Sequence, residues 1–70
     1  MKKITVTTAG KLVKVLVIEG QAIKKGDPVA GLVSKEGEIS ITSEVDGIVN
    51  AIAVSNGDFI NAGEVVMFVR

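Results

Sequence analysis

The sequence predicts an all-β protein built from two small sheets. Val and Ile dominate the apolar segments, glycine or Asx pairs interrupt them at short intervals, and no window keeps a helical period for three turns. The chain has 70 residues, of which 47% are apolar and eight are glycine. This length favours one domain, residues 1–70, with a small core.

The apolar segments follow one another as short strands. Ile4 and Val6 alternate with polar neighbours, whereas other segments are almost continuously apolar. Gly and Asx tolerate positive φ, so we expect tight turns between the segments. A hairpin with a polar, exposed tip is expected around residues 34–37. Strands are predicted around residues 4–6 and over 11–18, 28–33, 38–43 and 65–69.

An internal repeat relates the two halves of the chain at an offset of 37 residues. Aligning residues 9–32 with 46–69 keeps each aliphatic pair in the same predicted inward or outward position. Neither half can bury its apolar face alone, so we expect two four-element units packed as two sheets about a pseudo-twofold axis. The aligned turn glycines are Gly10/Gly47, Gly20/Gly57 and Gly26/Gly63.

Composition argues against several classes of function. The chain has no Cys and no His, which excludes disulfides and thiolate metal sites and removes the commonest general base. We therefore predict no enzyme, with no catalytic and no metal-ligating residues. Zero net charge argues against a nucleic-acid partner. No apolar run approaches a membrane span and none follows Met1 as a leader, so we expect a cytoplasmic protein with no membrane partner.

The charges and the aromatic residues are unevenly distributed. Residues 1–35 hold seven lysines and two acids, whereas residues 36–70 hold six acids and Arg70. Two interpretations stay open, attraction between interleaved halves, which we favour, and a polarised surface for a partner. Phe59 aligns with Ala22 in the repeat. We expect Phe59 to pack in the interior rather than anchor a partner.

Glycine-centred motifs recur at matching positions in both halves. They read Gly10-Lys11-Leu12-Val13 and Lys25-Gly26-Asp27-Pro28-Val29, then Asp46-Gly47-Ile48-Val49 and Asn56-Gly57-Asp58-Phe59-Ile60. This pattern resembles the biotinyl/lipoyl carrier domain family, similar to biotin carboxyl carriers, over about residues 8–70. The resemblance implies a flattened barrel-sandwich hybrid of two four-stranded sheets. It also implies a hairpin lysine that a ligase modifies with biotin or lipoate for a multi-enzyme complex.

The hairpin tip departs from the family pattern. In the register set by Gly26 and Gly47, the family's Glu-Ala-Met-Lys-Met or Glu-Thr-Asp-Lys-Ala motif corresponds to Val33-Ser34-Lys35-Glu36-Gly37. Glu36 therefore stands at the usual lysine position and cannot be acylated at an amine. Lys35 lies one residue earlier, and a turn centred on Glu36 and Gly37 would bring it near the tip.

Two functions stay open. We expect a non-enzymatic biotinyl/lipoyl-like domain that lacks modification at the usual hairpin position and acts as an interaction or assembly module. The alternative is a biotin or lipoyl carrier subunit of a carboxylase or acyltransferase complex, modified on the displaced Lys35. The expected partner is a protein, such as a carboxylase or acyltransferase subunit or a ligase.

Overall fold

The computed structural model describes residues 1–70 as eight β-strands joined by short turns. The all-β prediction is confirmed, and no helix in the structure is long and apolar enough to cross a membrane. The strands are β1 Lys2–Thr5, β2 Gly10–Val15, β3 Ala22–Ile23, β4 Pro28–Ser34, β5 Gly37–Thr42, β6 Gly47–Ile52, β7 Phe59–Ile60 and β8 Val65–Val69.

The strands form two antiparallel four-stranded sheets. Their strand orders are β1-β8-β6-β3 and β5-β4-β2-β7. The two orders are equivalent when each strand is replaced by its counterpart in the other half of the chain: β1 by β5, β8 by β4, β6 by β2 and β3 by β7. The predicted pseudo-twofold axis requires this equivalence. Each sheet takes two strands from each half, so neither half can form its own sheet. The positive and negative halves are accordingly interleaved in both sheets.

Backbone hydrogen bonds follow the same pseudo-twofold axis. The amide of Gly20 donates to the carbonyl of Val49 at 2.8 Å, and the amide of Gly57 donates to the carbonyl of Leu12 at 2.7 Å. Donor and acceptor are each displaced by the 37-residue offset of the sequence repeat. The repeat in the sequence is therefore a repeat in hydrogen bonding as well.

Strand β2 ends at Val15, three residues before the end of the segment predicted as a strand. The chain turns at residues 18–21, where the amide of Gln21 donates to the carbonyl of Ile18 at 3.2 Å and Gly20 has a φ of 92°. Positive φ at the third position is the requirement of a type II turn. This turn leaves Ile18 71% exposed. The prediction from the apolar run therefore made the strand three residues too long at its end.

The core lies between the two sheets and contains fourteen buried hydrophobic residues. Leu12 and Leu32 face one another across β2 and β4 and are both fully buried. Their counterparts in the other half, Val49 and Val69, are buried as well. Because Leu32 lies two residues before Ser34, the end of β4, this packing anchors the base of the β4–β5 hairpin.

Candidate functional site at the hairpin tip

The β4–β5 hairpin ends in a connection of two residues, Lys35 and Glu36. Ser34 lies opposite Gly37, and Val33 lies opposite Glu38. Lys35 and Glu36 are both exposed. The predicted hairpin with a polar tip is therefore present, and its turn is centred on Lys35 and Glu36.

The backbone of the turn explains the glycine that follows it. No residue other than glycine has positive φ, so Lys35 and Glu36 do not form a type I′ or II′ turn, and Gly37 has a φ of 116°. A type I turn followed by a positive-φ residue is the usual alternative, with a glycine bulge restoring the strand twist. A side chain at residue 37 would meet no atom within 4 Å. Glycine is therefore required here by conformation and not by space.

The side chain of Ser34 reinforces the turn. Its hydroxyl accepts a hydrogen bond from the amide of Glu36 at 3.2 Å and donates one to the carbonyl of Gly37 at 3.1 Å. Short side chains of this type stabilise turns by bonding to the backbone close by. Glu36 is consequently held at the second turn position, with Lys35 at the first.

A turn centred on Glu36 and Gly37 conflicts with the observed pairing. It would shift β5 by two residues along β4, so that Leu32 would face Ile41 instead of Ile39. The shift would also separate Ser43 from its backbone partners, the carbonyl of Asp27 at 2.9 Å and the amide of Gly26 at 2.7 Å. The structure brings Lys35 to the tip without any such slip.

A groove of about 360 Å³ lies beside the hairpin tip. It is lined by residues of the β1–β2 connection, the end of β4, the tip and β7, among them Thr8, Ala9, Val33, Lys35, Glu36 and Phe59. Phe59 is 65% exposed and Val33 is 42% exposed. Two large apolar side chains and both tip residues therefore share one concave surface.

The expectation that Phe59 packs in the interior is wrong. Strand β7 consists of Phe59 and Ile60, and Ile60 is only 1% exposed. Because successive side chains of a strand point to opposite faces, burying Ile60 turns Phe59 outward. The sequence repeat contained a clue to this orientation. Ile60 aligns with the large apolar Ile23, whereas Phe59 aligns with the small Ala22.

Phe59 continues a row of exposed side chains across its sheet. Strand pairing places Phe59 opposite Lys11, Lys11 opposite Val33, and Val33 opposite Glu38. All four side chains are exposed. The face next to the tip thus alternates apolar and charged groups, a composition suited to contact with a protein.

The acidic residues do not form a second type of site. No group of three or more His, Cys, Asp or Glu side chains lies close enough together to hold a metal ion. Asp27 and Asp58 instead accept hydrogen bonds from backbone amides within their own turns, at 2.9 Å each. These carboxylates therefore cap turns.

The chain is similar over nearly its whole length to proteins whose descriptions name biotin. A family model described as "Biotin-requiring enzyme" matches residues 2–69. The biotin/lipoyl attachment protein of Bacillus subtilis (strain 168) is 41% identical over 64 residues, which cover 91% of this chain and 88% of that protein. The biotin-dependent acyl-coenzyme A carboxylase alpha3 subunit of Mycobacterium leprae (strain TN) is 36% identical over 67 residues, which cover 96% of this chain and 11% of that subunit.

The fold is shared with solved carboxylases. The structure of the Kluyveromyces lactis urea carboxylase superposes with a TM-score of 0.91 at 23% identity and covers 99% of this chain. This chain corresponds to 6% of that enzyme. The predicted barrel-sandwich hybrid is thereby confirmed. Given the family match over residues 2–69 and the attachment protein at 41% identity, the chain belongs to the biotin/lipoyl carrier domain family, whose role is carriage and not catalysis.

Proposed function

We propose that this carrier domain bears no biotin or lipoate at residue 36 and acts in the cytoplasm as an interaction or assembly module. The observation that carries the proposal is Glu36 at the second position of the turn. The family attaches its group through an amide bond to a lysine amine, and a carboxylate cannot form that bond. The residue present therefore does not fit the group at that position.

The tip resists a slip that would change which residues form the turn. Ser34 bonds to the backbone of residues 36 and 37, and Gly37 follows the turn with a φ of 116°. Such a slip would break the two backbone hydrogen bonds of Ser43, with Asp27 and Gly26, and would move the buried Ile41 along β4. These features support a hairpin in which Glu36 stays at the second turn position.

The groove beside the tip supplies the contact surface in this proposal. Its apolar members, Phe59 and Val33, are exposed and flanked by Lys11 and Glu38. Exposed apolar groups with charged neighbours are typical of protein contact sites. The relatives include a biotin-dependent carboxylase subunit, so we propose a subunit of a carboxylase or acyltransferase complex as the partner.

A second function is favoured by the position of Lys35. It is the one lysine on the hairpin and is exposed at the first turn position, whereas the others lie on β1, on β2 or at residues 24 and 25. A ligase that tolerates this displacement would make the chain a working carrier. Biotin or lipoate would then supply carriage of a carboxyl or acyl group between active sites.

Intact mass and peptide mapping of the protein from its own host separate the two functions. We expect the unmodified mass and an unmodified peptide containing Lys35. A biotinyl or lipoyl adduct on Lys35 would refute the proposal and establish the second function. The partner is tested by comparing capture of the host's carboxylase subunits by the wild type and by Phe59→Ala, which should capture less.

A matched double variant tests the chemistry of the tip in vitro. Lys35→Glu/Glu36→Lys keeps composition and net charge and moves the lysine to the usual position. With purified biotin ligase, biotin and ATP to activate the biotin carboxylate, we expect this variant to gain label and the wild type to gain none. A conventional biotin carrier domain serves as the reaction control. Labelling of the wild type that disappears in Lys35→Arg would contradict the proposal.

A further inference from the structure

Strand β5 is an open sheet edge with few protective features. It is the outermost strand of the order β5-β4-β2-β7, and five of its six residues are exposed. Alternate residues of an edge strand present unpaired N–H and C=O groups to solvent. β5 contains no Pro and no Lys, and the irregularity in its pairing, between Pro28 and Ala30, lies on β4.

The pseudo-twofold axis provides an internal comparison for this edge. Strand β1 is the outermost strand of the other sheet and the counterpart of β5 at the 37-residue offset. Lys2 and Lys3 of β1 correspond to Ile39 and Ser40 of β5. Lysine on an edge strand is a common device against pairing with another chain. Of the two equivalent edge strands, β1 therefore carries protective lysines and β5 carries none.

A second groove runs along the unprotected edge. It has a volume of about 120 Å³ and lies between β5 and residues 5–8. Ile39 and Ile41 contribute to its lining, together with Thr7 and Thr8. Ile39 is 37% exposed. The groove has room for a small apolar side chain from a strand added to β5.

The charges along this edge are acidic. Glu36 and Glu38 lie at its hairpin end, Glu44 lies beyond its other end, and no Lys or Arg occurs in residues 36–44. A second copy added through its own β5, antiparallel about Ser40, would place Glu36 against Glu44 of the other copy. An occupant rich in Lys or Arg would instead meet opposite charges.

We propose that the β5 edge accepts, by strand addition, an extended segment of a partner protein with Lys or Arg at alternate positions and small apolar residues between them. Main-chain hydrogen bonds would supply affinity, and the groove and the glutamates would supply selectivity. This site lies on the sheet edge; it shares Glu36 and Glu38 with the Phe59 surface invoked above but does not include Phe59. It does not depend on whether Lys35 is modified.

A peptide titration followed by amide chemical shifts tests this site. The probe is Ac-Lys-Ile-Lys-Val-Lys-Val-Lys-NH2, and its charge control is Ac-Glu-Ile-Glu-Val-Glu-Val-Glu-NH2. We expect saturable shifts at the amides of residues 38–42 with the basic peptide, and at least about tenfold weaker binding of the acidic one. No shift at β5 up to about 1 mM basic peptide, or equal binding of both peptides, would overturn the proposal.

Protecting the edge provides a matched variant. Ser40→Lys should weaken binding at least about tenfold and leave the melting temperature unchanged, because β1 already accommodates lysine at the equivalent position. Lys3→Ser on β1 should leave binding unchanged. Phe59→Ala should also bind the peptide normally, so failure at the edge is distinguishable from failure of the Phe59 surface. Concentration-dependent self-association that Ser40→Lys abolishes would identify a second copy as the occupant and refute the partner assignment.

Discussion

A single methyl group at residue 47 tests how closely the start of β6 and the end of β8 must approach within their sheet. In Gly47→Ala, the new Cβ would lie 2.6 Å from Val69 Cγ1 and even closer to the carbonyl oxygen of Arg70. That carbonyl accepts the amide of Ile48, and the amide of Arg70 donates to the carbonyl of Ile48, both at 2.9 Å. The backbone at Arg70 cannot move away from residue 47 without weakening these two hydrogen bonds.

The expected loss of stability follows from these contacts. Overpacking of a tight site costs about 1–3 kcal/mol, and weakening two backbone hydrogen bonds adds roughly 1 kcal/mol. We expect the free energy of unfolding to fall by about 2–4 kcal/mol, against a total of about 3.5–10 kcal/mol for a domain of this size. At about 4–8 °C per kcal/mol, Tm should fall by roughly 8–32 °C.

Thermal and urea unfolding followed by circular dichroism measure this effect, with two matched variants. Gly10→Ala is the pseudo-twofold counterpart, where Cβ would meet the carbonyl of Val33 inside β4. Because φ is 155° at Gly47 and not positive at Gly10, the Gly10 variant measures the close contact alone and should lose somewhat less stability. Gly31→Ala places Cβ where no atom lies within 4 Å and φ is not positive. Its stability should stay unchanged or rise by up to about 1 kcal/mol.

Two results would refute the reasoning. If Gly47→Ala melts within about 1 °C of the wild type, the start of β6 and the end of β8 can separate freely and the close approach is not needed for stability. If Gly31→Ala loses as much stability as Gly47→Ala, the loss reflects removal of glycine in general and not the contact with Arg70.

Three further variants test the tip, the core and the exposed aromatic residue. Gly37→Met should lower the free energy of unfolding in urea by about 1–2 kcal/mol, because φ is 116° there although no atom is close; an unchanged value would contradict the assigned backbone. Leu12→Ala should lower it by about 2–5 kcal/mol, since Leu12 is fully buried; a loss below about 1 kcal/mol would place Leu12 outside the core. Phe59→Ala should change Tm by only a few degrees, because Phe59 is 65% exposed; a large fall would mean that Phe59 packs inside after all.

The hairpin tip was predictable because it is local. Two strands separated by a short polar segment ending in glycine specify a tight turn. The correspondence of Glu36 with the family's lysine position stays a prediction from the resemblance. The structure adds that Ser34 fastens the turn and that Lys35 already lies at its first position. These side-chain contacts depend on the turn type, which the sequence alone left open.

Two other features escaped prediction because they depend on neighbouring strands. The apolar run after Lys14 suggested a strand to residue 18, but the chain turns at Gly20 and exposes Ile18. Phe59 was expected inside because hydrophobicity alone does not reveal which face of a two-residue strand is covered. The pairing of Phe59 with Lys11 places it outside.

By itself, the sequence determined the all-β class and the pseudo-twofold repeat, since each depends on residue type and short spacing. The tertiary structure alone decided the order of the strands. That order brings Phe59 beside the hairpin, leaves β5 as an open edge and presses Gly47 against Arg70. These relations join residues far apart in the chain, and only the pairing of strands within each sheet sets them.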